Sequence, residues 1–402
     1  MNYGWIVLGI ITLFEGLSGF GRTSALSPFL EDLCHDLDLS NSQISGAYSL
    51  ANLLAGFVLP YIGQAYDRYR PSNFLRIYVL LFSGALIGLS MLKFMQFGSF
   101  INFTIFLLGF CCIRTAVHAY SVIGRSTTAV WFDKKRGLAT ALSCFLLSSI
   151  ASLMPWLNYK LHLRYEWYQV WVVVGIICGI IMLSLCSFVK KPDHPISNTT
   201  IKTKTNVSTT KNDFFKKPIF WLLIIALGFK NFQNTGIAFY LIPMGKEFGA
   251  HLETIALSMI FISIINTLMT FIFGHFFERI GPKKILLLFL IFDCCFLLCF
   301  KGVSSLLLML GFVVFSGFYW ALNQIVIYLV IPKIFGTKSI GKIHGYVTTF
   351  ACLGSASGPF FIGLIKDFSS FQVAISICAI CAFCLLCSAF IIKIPTTTIE
   401  QS

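Results

Sequence analysis

The sequence predicts an all-α polytopic membrane protein, with 12 transmembrane helices arranged as two six-helix pseudo-symmetric bundles. Three observations predict it. First, the 402 residues are 57% hydrophobic and only 11% charged, with a mean hydropathy of +0.82, whereas a soluble domain carries about 25% charge. Second, the apolar runs are roughly 20 residues long and lack a two-residue alternation, which is the length and pattern of bilayer-crossing helices. In lipid the backbone must satisfy its own hydrogen bonds, and that leaves helices or closed barrels. Third, the chain repeats itself. The stretch Gly63-Gln64-Ala65-Tyr66-Asp67-Arg68-Tyr69-Arg70-Pro71 returns 211 positions later as Gly274-His275-Phe276-Phe277-Glu278-Arg279-Ile280-Gly281-Pro282, with Gly, acid, Arg and Pro in register. Two copies at matching places imply an internal duplication.

Taken in order, span 1 runs from about Trp5 to Phe29, interrupted by Glu15 and Arg22. An acidic outward loop follows from Glu31 to Asp38. Ser40-Asn41-Ser42-Gln43 reads as a capping box ahead of span 2, about 41–62, whose Ser45, Ser49, Ala51 and Ala55 let helix backbones approach closely. Spans 3 and 4 cover about 73–95 and 99–123. The basic stretch Arg125 to Gly137 leads into span 5, which reaches about Tyr159 and contains Pro155, and span 6 runs from about Tyr168 to Val189. Apolar periodicity then stops, and Lys, Thr, Asn, Ser and Pro dominate residues 190–217, as in a basic linker. Spans 7 to 12 follow at about 218–242, 253–273, 284–300, 304–330, 342–365 and 369–393. The predicted domains are therefore a bundle over 1–189, a cytoplasmic linker over 190–217 and a second bundle over 218–402. Pro28 and Pro243 end spans 1 and 7 at an offset of 215. Gly137/Gly341, Ala141/Gly345 and Pro155/Pro359 match spans 5 and 11 at 204.

A formal net charge of +14 would suggest nucleic acid in a soluble chain. Here 21 of the 30 Lys and Arg fall in alternate loops and the tail, at 63–76, 124–137, 189–218, 274–285, 331–342 and Lys393. That asymmetry is the positive-inside signature. It predicts a multi-pass protein of the cytoplasmic membrane with both termini inside and no nucleic-acid partner. Most of the 14 cysteines lie in apolar runs, where Cys packs as a small hydrophobe. No HExxH spacing and no nucleophile–base pattern is present, so neither a cofactor nor an enzyme is expected. The N-terminus lacks the basic start of a cleavable signal peptide.

The two loops and the 6+6 count resemble the major facilitator superfamily over nearly the whole chain. The stretches Trp131 to Ala139 and Phe335 to Gly345 resemble, more narrowly, its oxalate/formate antiporter and monocarboxylate transporter branch. That resemblance implies small carboxylates as substrates, coupled to protons or to an exchanged anion. Carriers of that branch place an Arg in helix 8, whereas Glu253 to Phe273 holds no cation inside the span. The Gly-Pro-x-x-Gly-Gly pattern of drug exporters is absent from Ser148 to Trp156.

A charge inside a span costs roughly 2.5–3.5 kcal/mol on insertion scales. Glu15, Arg114 and Lys230 all fall near mid-membrane and require a reason. Arg114, Lys230, Asn234, Tyr319, Asn323 and Gln324 are the predicted substrate contacts, and Glu15 and His118 the predicted coupling residues. The Pro28/Pro243 offset places Glu15 opposite Lys230, as either a switch or a fixed helix-packing pair. Arg22 shares a face with Glu15. Asp293 in span 9 reads as structural, because that helix is peripheral in the resembled fold. Asp67, Arg68, Glu278 and Arg279 are predicted to hold a gate on the inner side, since topology alone would require neither the acid nor its copy. The function expected is secondary active transport of a small organic solute, above all an organic anion, by a monomer that alternates its access. The alternatives are an exporter of a larger amphipathic compound and a solute receptor without flux.

Overall fold

The computed structural model describes residues 2–68, 70–95, 97–132, 136–190, 213–335 and 340–392. Most of the predicted linker thus lies outside the described residues. The chain divides into two compact units, Met1–Thr210 and Lys211–Ser402.

The first unit begins with α1, Asn2–Leu17. The prediction of one span to Phe29 does not hold. A 3-10 turn at Ser18–Gly21 is followed by Arg22 in an extended conformation, φ −83° and ψ 162°. Gly21 permits this break, because a Cβ there would overlap the Ile113 side chain. A short α2, Thr23–Leu26, leads into a 3-10 turn over Pro28 and then α3, Leu30–Leu37. Pro28 therefore ends nothing, since the chain stays helical across it. The predicted acidic loop is α3 itself. Leu30, Leu33 and Leu37 are buried at helical spacing, with the acids between them, and Asp38 closes the helix at φ 52°.

Next come α4 (Asn41–Arg68), α5 (Pro71–Ser90), α6 (Ser99–Trp131), α7 (Arg136–His162) and α8 (Trp167–Cys186). The capping box ahead of α4 is formed: the Ser40 N–H donates to Gln43 Oε1 at 2.8 Å, and the Gln43 N–H donates to Ser40 Oγ at 3.2 Å. Both α4 and α6 outlast their predicted spans, so much of each basic "loop" is a helix end. Pro71 occupies the first turn of α5, where its missing N–H costs nothing. In this unit α1 packs on α6 and α7, α4 on α6, and α5 on α8.

The second unit comprises α9 (Pro218–Phe239), α10 (Leu241–Glu247), α11 (Leu252–Ile280), α12 (Pro282–Lys301), α13 (Leu306–Ile325), a π turn at Val326–Val330, α14 (Ile331–Phe335), α15 (Ile340–Phe368) and α16 (Phe371–Ile391). Pro243 sits inside α10, not at the end of a span. Pro282 opens α12 as Pro71 opens α5, which accounts for the proline in each repeat. Here α9 packs on α15, α11 on α13, and α12 on both α13 and α16. The pairs α9–α15, α11–α13 and α12–α16 repeat α1–α7, α4–α6 and α5–α8 of the first unit, as a duplication should. The α9–α15 crossing is backbone on backbone. A Cβ on Gly354 would overlap the Gly228 carbonyl, and one on Gly358 would overlap that of Phe232. Small residues at such crossings are how helices associate in lipid.

Among the described residues nine segments are long and apolar enough to cross a bilayer. The other three spans are α4, α9 and α12. At about 1.5 Å per residue they are also long enough, but each carries polar groups within the bundle, including Lys230 and Asp293.

Each unit has an acid-centred staple at the end of its short third or second helix. Asp36 of α3 accepts from Lys93 Nζ at 2.6 Å and from Trp167 Nε1 at 2.8 Å, tying the end of α5 and the start of α8 to α3. Glu247 of α10 accepts from Lys366 Nζ at 2.5 Å and from the Gln372 N–H at 3.1 Å, tying together α10, α15 and α16. Glu247 follows Asp36 by the same 211 positions that separate the repeated loops.

Candidate functional site

In the first unit, α6 carries Arg114 and His118 one turn apart, hence on one face. Arg114 is 8% exposed. Its Nε and Nη2 both donate to Asn52 Oδ1 of α4, at 3.0 and 2.6 Å, and Nη1 reaches the Gly21 carbonyl at 3.5 Å. The guanidinium lies 5.2 Å from the Tyr48 ring centroid, and the Tyr48 hydroxyl is 2.6 Å from Thr23 Oγ1. His118 Nε2 stands 3.2 Å from the same Asn52 oxygen. The break at Gly21–Arg22 thus has a use, since it frees a carbonyl that an unbroken helix would have employed itself. Every hydrogen-bond acceptor named here for Arg114 is neutral, so its charge is solvated but not cancelled.

Glu15 lies in the same unit. Its Oε1 accepts from Ser121 Oγ of α6 at 2.5 Å and stands 3.7 Å from Arg22 Nη2. The shared face of Glu15 and Arg22 is therefore a real ion pair. Within the second unit, the carboxylate in the field of Lys230 is a different residue, Asp293.

In the second unit, Lys230 of α9 is 9% exposed and lies 5.7 Å from the Trp320 ring centroid. Asp293 of α12 is 2% exposed. It lies beside Tyr319 and Gln233, with the Lys230 charge in its field. Tyr319 donates to Gln233 Oε1 at 3.1 Å, and Gln233 is wholly buried. A cavity of about 320 Å³, its open mouth included, adjoins this group and is lined by Asn234, Met259, Phe296, Ser316, Tyr319 and Trp320 among others. Asn323 is buried with Oδ1 unpartnered among the described residues. Gln324, by contrast, is exposed. Asn231 turns its amide back onto the Leu227 carbonyl at 2.8 Å.

The structure therefore gathers Arg114 with His118, and Lys230 with Tyr319. Asn234 and Tyr319 share the cavity wall. Two partners were not singled out from sequence as part of these clusters. Asn52 is an amide in an apolar helix, and nothing local ties it to an arginine 62 positions on. Gln233 sits three residues after Lys230 and was legible as a same-face neighbour. Asp293 was noticed, but it was read as peripheral. Of the gate residues, Arg279 is exposed and lies over the Phe276 ring at 5.8 Å. The side chains of Asp67, Arg68 and Glu278 lie outside the described residues.

The sequence profile of the Major Facilitator Superfamily matches residues 11–359 and 230–402. The chain belongs to that superfamily. It is accordingly a multi-pass membrane protein. Solved structures agree on the fold. A bacterial homologue of the human lysosomal transporter Spinster, in an occupied inward-facing form, superposes with a TM-score of 0.74 at 15% identity, covering 99% of each chain. A D-xylose–proton symporter gives 0.71 at 17% identity over 98% of each chain. The nucleoside transporter NupG gives 0.68 at 15% identity, over 98% of this chain and 99% of its own. No curated protein sequence matches significantly.

Proposed function

We propose that the protein is a secondary active transporter that moves a small organic anion by alternating access, coupled to protons or to an exchanged anion. The observation that supports this reading best is Arg114. Among the described residues, the acceptors that hold this buried guanidinium, Asn52 Oδ1 and the Gly21 carbonyl, are neutral. Such a charge is costly unless something negative meets it. Lys230 is a second buried cation, one from each unit, with the amide of Asn234 and the hydroxyl of Tyr319 on the nearby cavity wall. Asn323 and Gln324 complete the proposed polar contacts, and Glu15 and His118 are the proposed proton carriers of the first unit. Asp67, Arg68, Glu278 and Arg279 remain the proposed inner gate.

An exporter of a larger amphipathic compound is the second reading. The aromatic lining of the cavity, with Phe296, Phe312 and Trp320, favours it. Two similar structures carry nucleosides or D-xylose by name, so neutral polar solutes belong among the controls. Counterflow into proteoliposomes decides between these. A panel of organic acids, sugars, nucleosides and amphipathic cations is loaded inside, and acceleration is read for each. Acceleration by organic acids alone supports the proposal. Acceleration only by neutral solutes or amphipathic cations overturns it.

A further inference from the structure

We propose that Asp293 reversibly binds a proton and thereby switches Lys230 between a paired and an unpaired state. Its consequence for transport rests on the anion reading above, but its test does not.

Asp293 sits on α12 with Phe289 four residues before it and Phe296 three after, so all three share one face. Both rings stack on Tyr319, at centroid distances of 4.9 and 5.1 Å and interplanar angles of 12° and 25°. The two phenylalanines thus clamp Tyr319 of α13 against the level of the acid. Tyr319 in turn donates to Gln233 of α9, and Lys230 lies three residues earlier on the same helix. The sequence pattern Phe-x₃-Asp-x₂-Phe builds this setting, yet it has no meaning until α13 is in place.

The acid is poorly furnished for permanent ionisation. Among the described residues Asp293 Oδ1 and Gln233 Nε2 are buried with no hydrogen-bond partner. A buried carboxylate needs its lone pairs met, whereas a neutral acid needs less. A fixed structural ion pair looks different in this same unit, where Lys366 Nζ lies directly on Glu247. Lys230 is instead directed at the Trp320 ring. The titratable groups facing Asp293 are Lys230 from α9, Tyr319 from α13, Cys378 from α16 and Cys294 on its own helix. Of these only Lys230 carries charge at neutral pH, and it acts on the acid together with burial and the neighbouring Tyr319 and Gln233 side chains.

The switch follows. When the carboxyl O–H bond breaks, the proton passes to water and leaves a carboxylate that neutralises the Lys230 ammonium. When a proton returns, the acid becomes neutral and the ammonium is free to meet an anion. Proton and anion then favour each other's binding and move in the same direction.

The test is pH-difference infrared spectroscopy on the full chain in lipid, with protons as the only ligand. The carbonyl stretch of a protonated carboxylic acid is followed between about pH 5 and pH 9. The proposal expects such a band to be lost in one step as the pH rises, and to be missing in Asp293→Asn. Lys230→Gln removes the cation that favours the carboxylate, so the band should persist to higher pH than in the wild type. Should Asp293→Asn not fold, Asp293→Glu keeps the carboxyl and displaces the same band, which makes the assignment without it. No acid band, or a band indifferent to these substitutions, overturns the proposal. Since no solute is present, failure of the solute panel leaves this result standing, and a failed titration leaves anion transport standing.

Discussion

Asn52→Asp is the sharpest perturbation of the first-unit cluster. Aspartate has the shape of asparagine, so the substituted oxygen remains where Arg114 Nε and Nη2 now donate, at 3.0 and 2.6 Å. The change adds one negative charge beside a guanidinium that is 8% exposed. Two unit charges about 4 Å apart at an effective dielectric near 20 attract by about 4 kcal/mol. Burying the new carboxylate offsets part of that, which leaves about 3 kcal/mol of internal pairing. An arriving anion must compete with it, so its affinity should fall roughly a hundredfold. The assay is equilibrium binding of an organic acid accepted in the counterflow panel, to purified protein in lipid nanodiscs. Thermal unfolding of the same samples should show no loss of stability, because the fold gains an ion pair. An affinity within about threefold of wild type, in a protein of unchanged stability, would refute the reasoning that Arg114 meets the anion with its charge.

Three further outcomes follow. Gly354→Val drives a side chain into the Gly228 carbonyl; overpacking of this kind costs about 3 kcal/mol, which should lower the melting temperature by roughly 6–12 °C, while Gly345→Ala, with nothing near the added Cβ, should leave it unchanged. Burial pushes the Asp36 carboxyl up, but its hydrogen bonds from Lys93, Trp167 and His35 outweigh this and hold it below the usual carboxylate range; the stability they contribute is present above about pH 4 and is lost as the pH falls through the lower folded value, so a melting curve taken against pH should show an acid-side slope that Asp36→Asn reduces. Asp67→Asn and Glu278→Gln should each slow counterflow more than they weaken solute binding, the second by less; unchanged counterflow in both would remove the gate role.

What was legible in the sequence had a local or periodic signal. The duplication showed in the loop residues themselves, whereas Pro71 and Pro282, placed in those loops by the sequence, open α5 and α12, at the one helix position proline suits. The Ser40–Gln43 box is a four-residue pattern and formed as expected. Arg114 and Lys230 stood out because charge in an apolar run is expensive. The misses were of two kinds. Some were breaks and extensions: a helix that opens at Arg22 and an acidic stretch that coils as α3 both depend on what packs against them. Others were partners. Asn52 becomes notable only when α4 lies on α6, and Asp293 only when Tyr319 is stacked between Phe289 and Phe296. An ion pair between Glu15 and Arg22 was within reach of helix spacing, whereas Ser121 as the second partner of Glu15 was not.

The central claim is that a buried cation recognises an organic anion, and Lys230 tests it most directly. Binding of an accepted organic acid should be measured on Lys230→Gln and Lys230→Arg protein in lipid. The account predicts that Lys230→Gln loses binding while Lys230→Arg, which keeps the charge, retains much of it. Wild-type affinity in Lys230→Gln would contradict it.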